Sequence, residues 1–485
     1  MKLEKGLLKP YAYKLNDVAN GALTMKKYNV KEFGAVADGK TLCTEAVQSA
    51  VDYCHAQGGG TVLFDGGRYV LSTVFLKSNV HIEITESAEI LGSLNFYDFA
   101  PQEKIDYPIY QDASHTYFDL SMFVGRNCEN ISIVGKGKID MRSVWDEDGV
   151  RGKEIRHRGP KCIALKECKN IQISGLEIVN VTDLAVYFAG CENVDVHGLK
   201  LYVYIDGISP DNSKNVRIYD CDVEAGDDAI VFKSSYTLNR LDICKDIKVW
   251  NCRLKSRCTA IKFGTETNGG FENIEIENID IRETRITGIA IESVDGAIID
   301  GVYIKNVKMK NVNAPLFIHL GKRMRGPQGR EIGRIRNITL ENITATGPYE
   351  PYEIIAWNYD SFKANDYYQD PKIFGNAADF DGSKLADEWQ MTSNVCGLKG
   401  YPLQNITLRN IHLELDGGVK EYNRNVPEEA QDYPEVYVYG RVLPAKGIYF
   451  RYIDGLTIDN VAVETYREDT RDDFVFEKVS GLRRL

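Results

Sequence analysis

Apolar and polar residues alternate with a period of two through most of this chain. In Asn273-Ile-Glu-Ile-Glu-Asn-Ile-Asp-Ile, Ile recurs at every second position on either side of Glu277-Asn278. That pattern predicts short half-buried strands. The alternation restarts on a recurring phrase: Cys128-Glu-Asn130-Ile-Ser-Ile, Cys168-Lys-Asn170-Ile-Gln-Ile, Cys191-Glu-Asn193-Val-Asp-Val, Ser213-Lys-Asn215-Val-Arg-Ile, Cys244-Lys-Asp246-Ile-Lys-Val and Phe271-Glu-Asn273-Ile-Glu-Ile. Weaker copies follow at Asp300-Gly-Val302, Asn337-Ile-Thr-Leu, Asn405-Ile-Thr-Leu and Asp454-Gly-Leu456. Asn170, Asn193, Asn215, Asp246, Asn273 and Asp300 are spaced 23, 22, 31, 27 and 27 residues apart. Repeats of this length, made only of short strands, predict an all-β parallel solenoid in which each coil buries its Ile, Val and Leu against the next. The Asn and Asp positions are read as turn residues satisfying backbone groups, and the recurrent Cys as a small buried ladder residue. A leucine-rich repeat lacks its strand-helix consensus here, and a propeller lacks its Gly-His and Trp-Asp signatures.

One helix is predicted near the start. Thr44 to Gln57 puts Ala46, Val47, Ala50, Val51 and Cys54 on one face, and Gly58-Gly59-Gly60 stops it. Such a helix would cap the open first coil. Residues 1–27 read as an N-terminal extension and 28–485 as one solenoid domain. Two segments interrupt it: about 346–400, rich in Tyr, Asp and Trp (Tyr349, Tyr352, Trp357, Tyr359, Tyr367, Tyr368, Trp389), and about 417–445, acidic and Pro-containing. The first is expected to form a wall facing the substrate, with simple lid packing as the plainer alternative.

The 485 residues carry a net charge of −11, which argues against nucleic acid as a partner and requires a local basic patch for any anionic substrate. No stretch is apolar enough to span a membrane, and residues 1–27 show no apolar leader core with a cleavage site. There are 11 Cys, an odd number without Cys-x-x-Cys spacing, so a reducing cytoplasm is expected, or secretion if a leader has been trimmed. The Asn-x-Ser/Thr triplets at Asn130, Asn180, Asn337, Asn342 and Asn405 fall at strand entries and read as repeat positions. No phosphate-cradling loop or metal-ligand spacing appears, so no cofactor and no metal are expected. Oligomeric state is left open.

The candidate chemistry lies in Tyr204-Ile-Asp206-Gly-Ile-Ser-Pro-Asp211 and Gly226-Asp227-Asp228-Ala-Ile. These place three carboxylates on successive coils, and strands in such a stack lie about 4.8 Å apart. Asp206, Asp227 and Asp228 can then converge on one patch. Glycosidic bond cleavage needs one acid protonated to donate and another ionised to activate water. The plainer reading of Asp227-Asp228 is a pair of turn residues after Gly226.

From about residue 28 to 470 the chain resembles glycoside hydrolase family 28, the polygalacturonase family. At the N-terminal end the resemblance rests on Val30-Lys-Glu-Phe-Gly-Ala-Val-Ala-Asp-Gly39-Lys, Gly58-Gly-Gly-Thr-Val62 and Phe75-Leu-Lys-Ser-Asn-Val80, phrases shared with other pectin-active β-helices. More specific are Asp206-Gly and Gly226-Asp-Asp, which resemble the family's Asn-Thr-Asp-Gly and Gly-Asp-Asp motifs. The resemblance implies a single-stranded right-handed parallel β-helix of the pectin-lyase-like kind. It makes Asp227 the general acid and gives Asp206 and Asp228 the attacking water, with inversion at the anomeric centre and carboxyls about 6.5–9.5 Å apart.

Two family motifs are missing. Thr259, in Cys258-Thr259-Ala260, stands where Gly-His-Gly has its His, and Ala290-Ile291-Glu292 stands where Arg-Ile-Lys is expected. In the family these basic residues hold a substrate carboxylate. Lys262 either takes their place, pointing to the same face as Ala290, or pairs with Glu292. Lys233 is read as heading a column through Gly264 and Glu292 to His319. The basic runs Lys322-Arg323-Met-Arg325 and Arg156-His157-Arg158 with Lys161 are further candidates for holding uronates, or solvated surface. The expected function is exo-acting, inverting hydrolysis of α-linkages in an acidic or pectic glycan, at a galacturonide or a neighbouring neutral sugar such as rhamnose. Its rivals are uronate lyase or epimerase chemistry on the same fold, and a non-catalytic glycan-binding β-helix.

Overall fold

A computed structural model describes residues 26–144, 158–347, 390–422, 424–428 and 433–485. The period-two segments form strands that pair in parallel with the strand one coil away, giving a right-handed parallel β-helix. Three stacks of strands run its length. The first stack carries one apolar row inward: Val62, Ile82, Ile133, Ile173, Val196, Ile218, Val249, Ile276, Ile304, Leu340, Leu408 and Ile458 face one another in register. Each is at most 4% exposed. Burying each side chain stabilises the fold by about 1.5–3 kcal/mol.

The recurring phrase accounts for the corner that precedes this stack. Asn79, Asn130, Asn170, Asn193 and Asn215 all adopt left-handed backbone, with φ between 53° and 63°. Asn tolerates that conformation better than other residues with a side chain. Their amides form a ladder in which each Nδ2 donates to the previous Oδ1, at 2.9, 2.9, 3.0 and 3.2 Å. Beside it, the Cys168 Sγ accepts from the Cys128 amide and the Cys191 Sγ from the Cys168 amide, both at 3.4 Å. Ser213 continues the row, its Oγ accepting from the Cys191 amide at 3.1 Å. All eleven thiols are buried and unpaired.

The second stack carries an outward ladder of charge. Asp38, Arg68, Glu89, Lys138, Glu177, Lys200, Asp222, Arg253, Asp280 and Lys308 are successive register partners. Their signs alternate without a break. Arg68 meets Glu89 at 2.7 Å and Arg253 meets Asp222 at 2.5 Å.

The expected helix spans Thr44–Ala56 and buries Val47, Ala50, Val51 and Cys54 over the first coil. It ends where Gly58, Gly59 and Gly60 take φ of 90°, 115° and 148°; a Cβ at Gly59 would meet the Asn79 carbonyl oxygen at 2.5 Å. Of the 346–400 interruption, Ser393–Cys396 is a strand of the third stack, paired on both sides. The aromatic residues read as a substrate wall, Tyr349 to Trp389, lie outside the described residues. The 417–445 interruption folds back over the third stack. Its Val436, Tyr439 and Leu443 form a second small core with Cys258, Ala290, Ala314 and Phe317.

Candidate active site

The site forms at the entry to the third stack, where three coils turn in register. Gly207 N–H donates to the Asp228 carbonyl at 3.0 Å and Ala229 N–H to the Thr259 carbonyl at 3.0 Å. Asp206, Asp228 and Thr259 therefore stack one above the next. Gly226 makes the approach possible, since a Cβ there would lie 2.1 Å from the Tyr204 carbonyl oxygen. Hydrogen bonds link the acids directly: Asp228 N–H donates to Asp206 Oδ1 and Thr259 N–H to Asp228 Oδ1, each at 3.2 Å. One oxygen of each of Asp206, Asp227 and Asp228 lies within 4.8 Å of the other two. That is tighter than the 6.5–9.5 Å expected of a single acid-base pair with water between. Backbone stacking sets this spacing, because the acids come from adjacent coils.

Burial and mutual repulsion govern the protons. Burial and the negative Asp227 push the Asp206 carboxyl up to about 6. Burial raises Asp228 well above the usual carboxylate range, against the pull of Lys262. The cluster thus retains a proton toward neutral pH. Asp206 and Asp228 are each 3% exposed, and Asp227 is more open. A basic side chain stands behind each buried acid: His115 Nε2 is 3.9 Å from Asp206 Oδ2, and Lys262 Nζ is 3.5 Å from Asp228 Oδ2. Asp227 has no ion pair among the described residues.

An outer set of acids holds these cations. Asp112 Oδ1 meets His115 Nδ1 at 2.8 Å. Burial would lower the His115 pKa, but Asp112 raises it overall. Glu435 Oε1 meets Lys262 Nζ at 2.6 Å, and Glu266 Oε2 meets Lys233 Nζ at 2.8 Å. Arg158 Nη1 donates to Ser114 Oγ at 2.6 Å and lies 3.7 Å from Asp183. The Asp206 trio, and separately Asp112, His115 and Glu266, are close enough to share a metal ion. In both sets protein cations already stand against the carboxylates. Ser114 and Asp183 apart, these acids and basic side chains line a depression of about 560 Å³, open to solvent, with Tyr433 and Tyr437 on its wall.

Of the residues singled out from sequence, Asp206, Asp227, Asp228, Lys233, Lys262 and Arg158 line this depression. Thr259, Glu292 and His319 do not. Thr259 contributes its backbone N–H, and its side chain is buried. Glu292 is fully buried, and neither of its oxygens has a hydrogen-bond partner among the described residues. The pairing with Lys262, one of the two roles read for that lysine, gives way to the Glu435 contact. His319 does face Glu292 across the coils, but it stacks on Phe317 with ring centres 5.4 Å apart, and burial pushes its pKa down to about 3. The column expected from Lys233 to Glu292 is broken. Register shifts between Phe232 and Ser234, which faces Thr267, and Lys233 turns to Glu266 instead. The basic runs are also engaged: Arg323 binds Asp295 at 2.9 Å, Arg325 binds Glu266, and Lys161 lies 3.4 Å from Asp183. Arg156 and His157 lie outside the described residues.

Asp112, His115, Tyr433, Glu435 and Tyr437 were not anticipated. Their only sequence signal is negative. Asp112-Ala-Ser-His115 and Tyr433-Pro-Glu-Val-Tyr437 sit in stretches where the alternation lapses.

A sequence model described as glycosyl hydrolases family 28 matches residues 71–365. The chain is 26% identical over 257 residues to a probable polygalacturonase of Vitis vinifera, covering 50% of this chain and 52% of the relative. It is 23% identical over 298 residues to the exo-poly-alpha-D-galacturonosidase of Dickeya chrysanthemi, covering 51% and 49%. It thus spans about half the length of these relatives. Among solved structures, the family 28 exopolygalacturonase of Yersinia enterocolitica superposes with a TM-score of 0.67 at 19% identity, over 94% of this chain and 78% of that one. The hyperthermoactive exopolygalacturonase of Thermotoga maritima gives 0.62 at 18% identity, over 82% and 91%. At these identities the structural likeness speaks to the fold.

Proposed function

The chain belongs to glycosyl hydrolase family 28, and from that premise we propose that it is an inverting, exo-acting hydrolase of α-glycosidic bonds in pectin-derived oligosaccharides. One observation carries this reading: the convergence of Asp206, Asp227 and Asp228 within 4.8 Å at the floor of a solvent-open depression. Asp227, the most open of the three, passes the proton that the cluster retains to the glycosidic oxygen. Asp206 and Asp228, backed by His115 and Lys262, hold the attacking water between them and take its proton. With two acids sharing the water, no wide gap opposite a single acid is required. The Tyr433–Tyr437 segment narrows the depression from one side, which favours cleavage at a chain end. The buried, unpaired thiols favour a reducing compartment, where short imported oligosaccharides would be the substrate.

The test is reducing-sugar release from oligogalacturonides and rhamnogalacturonan oligosaccharides. Asp227→Asn is expected to lower turnover by about 10²–10⁴-fold, the usual worth of a general acid, with binding retained. NMR of the nascent product should show the inverted anomer. Retained configuration, an unsaturated product, or equal release by the variant would each overturn the reading.

A further inference from the structure

Among the described residues, the depression contains six acids, Asp112, Asp206, Asp227, Asp228, Glu266 and Glu435, against Arg158, Lys233, Lys262 and His115. Each of its three Lys and Arg cations already faces a protein carboxylate. Lys262 is the cation nearest the reacting acids, and the Glu435 carboxylate at 2.6 Å occupies it. Glu435 is itself 4% exposed, and its second oxygen, Oε2, is buried without a hydrogen-bond partner among the described residues. A buried acceptor left unpaired is costly, so it marks a place for a donor.

Glu435 reaches this position because residues 433–443 pack on Ala290 and Phe317, small or apolar positions of the third stack. A uronate bound here would bring a further negative charge into a cluster already rich in carboxylates, with Lys262 engaged. A neutral pyranose brings only hydroxyl donors, which Glu435 Oε2 accepts. The ring of Tyr433, 45% exposed on the same wall, offers its face to a sugar ring.

We propose that the sugar bound against Lys262 is a neutral pyranose, and that Glu435 determines this specificity by standing where a uronate's carboxylate would otherwise meet Lys262. The proposal rests on the hydrolase reading for the position of the cleaved bond, but not for the charge preference of the subsite.

The experiment compares oligogalacturonides and rhamnogalacturonan oligosaccharides with their carboxyl-reduced forms, which differ only in carrying CH₂OH for COO⁻. Wild-type enzyme is expected to favour the reduced forms in kcat/KM. Glu435→Gln, which keeps the side chain's size and frees the ammonium, should move that ratio toward the acidic forms by about tenfold, the worth of one charge-assisted hydrogen bond. Glu435→Ala serves as the second variant if the amide perturbs the insertion. If no ligand is cut, the hydrolase reading fails, and calorimetric titration of the same ligands still measures the preference. A wild-type preference for the acidic forms, no binding of either reduced form, or a ratio unmoved by both variants overturns the proposal.

Discussion

Asp206 has its carboxyl raised from an ordinary 3.8 to about 6, first by burial and then by Asp227. The fold therefore favours its protonated form. The stability this contributes is complete below about pH 4 and is lost as pH rises through 6. Asp206→Asn keeps a neutral group at every pH. The melting temperature of the wild type should fall relative to the variant between pH 4 and pH 7, and parallel curves would refute the assignment. At this scale the sequence was informative where chemistry follows register. Asp206 and Asp227-Asp228 sit at equivalent points of consecutive coils, so spacing alone brings them together. Glu435 lies 173 residues from Lys262 and His115 lies 91 before Asp206. Their places depend on how two irregular segments pack, and alternation carries no information about that. The same limit applies to Lys233, whose direction is set by one shift of register.

Among the elements, the corner ladder is the most exposed to a single change. Asn170 donates to Asn130 and accepts from Asn193, and it holds φ at 56°. Asn170→Ala loses both hydrogen bonds and puts alanine, which tolerates the left-handed region less well than asparagine, at a φ of 56°, a combined cost on the order of 2 kcal/mol. Asn170→Gly restores the backbone freedom but not the bonds, so its midpoint in urea should fall between alanine and wild type. An alanine variant as stable as wild type would remove the ladder from the account. Strands, corners and the capping helix were legible because each is a local pattern repeated under the same burial. The insertion at 417–445 was visible only as a lapse in that pattern. Its apolar Val436, Tyr439 and Leu443 cluster with residues from several strands far apart in sequence, and no periodicity within the segment announces them.

For the whole molecule, a net charge of −11 sets up a repulsive field for acidic glycans, and the described Lys and Arg cations of the depression already face protein carboxylates. Such fields are screened beyond about 10 Å at 0.1 M salt. Raising ionic strength should therefore increase kcat/KM severalfold for unreduced oligogalacturonides and leave the carboxyl-reduced forms unchanged. A fall for the acidic series would instead reveal an attractive patch. The solenoid itself was readable at this scale from the repeat, since a chain of stacked coils needs only nearest-neighbour agreement. That same economy creates a hazard: one coil resembles the next, and a growing strand can dock on the wrong neighbour. The alternating row from Asp38 to Lys308 bears on that error. Were one coil looped out, Asp38 would face Glu89, Arg68 would face Lys138, and Glu177 would face Asp222, each a like-charged pair directly across a strand boundary. The row is in effect a parity check on threading: it penalises the omission of a single coil and passes the omission of two.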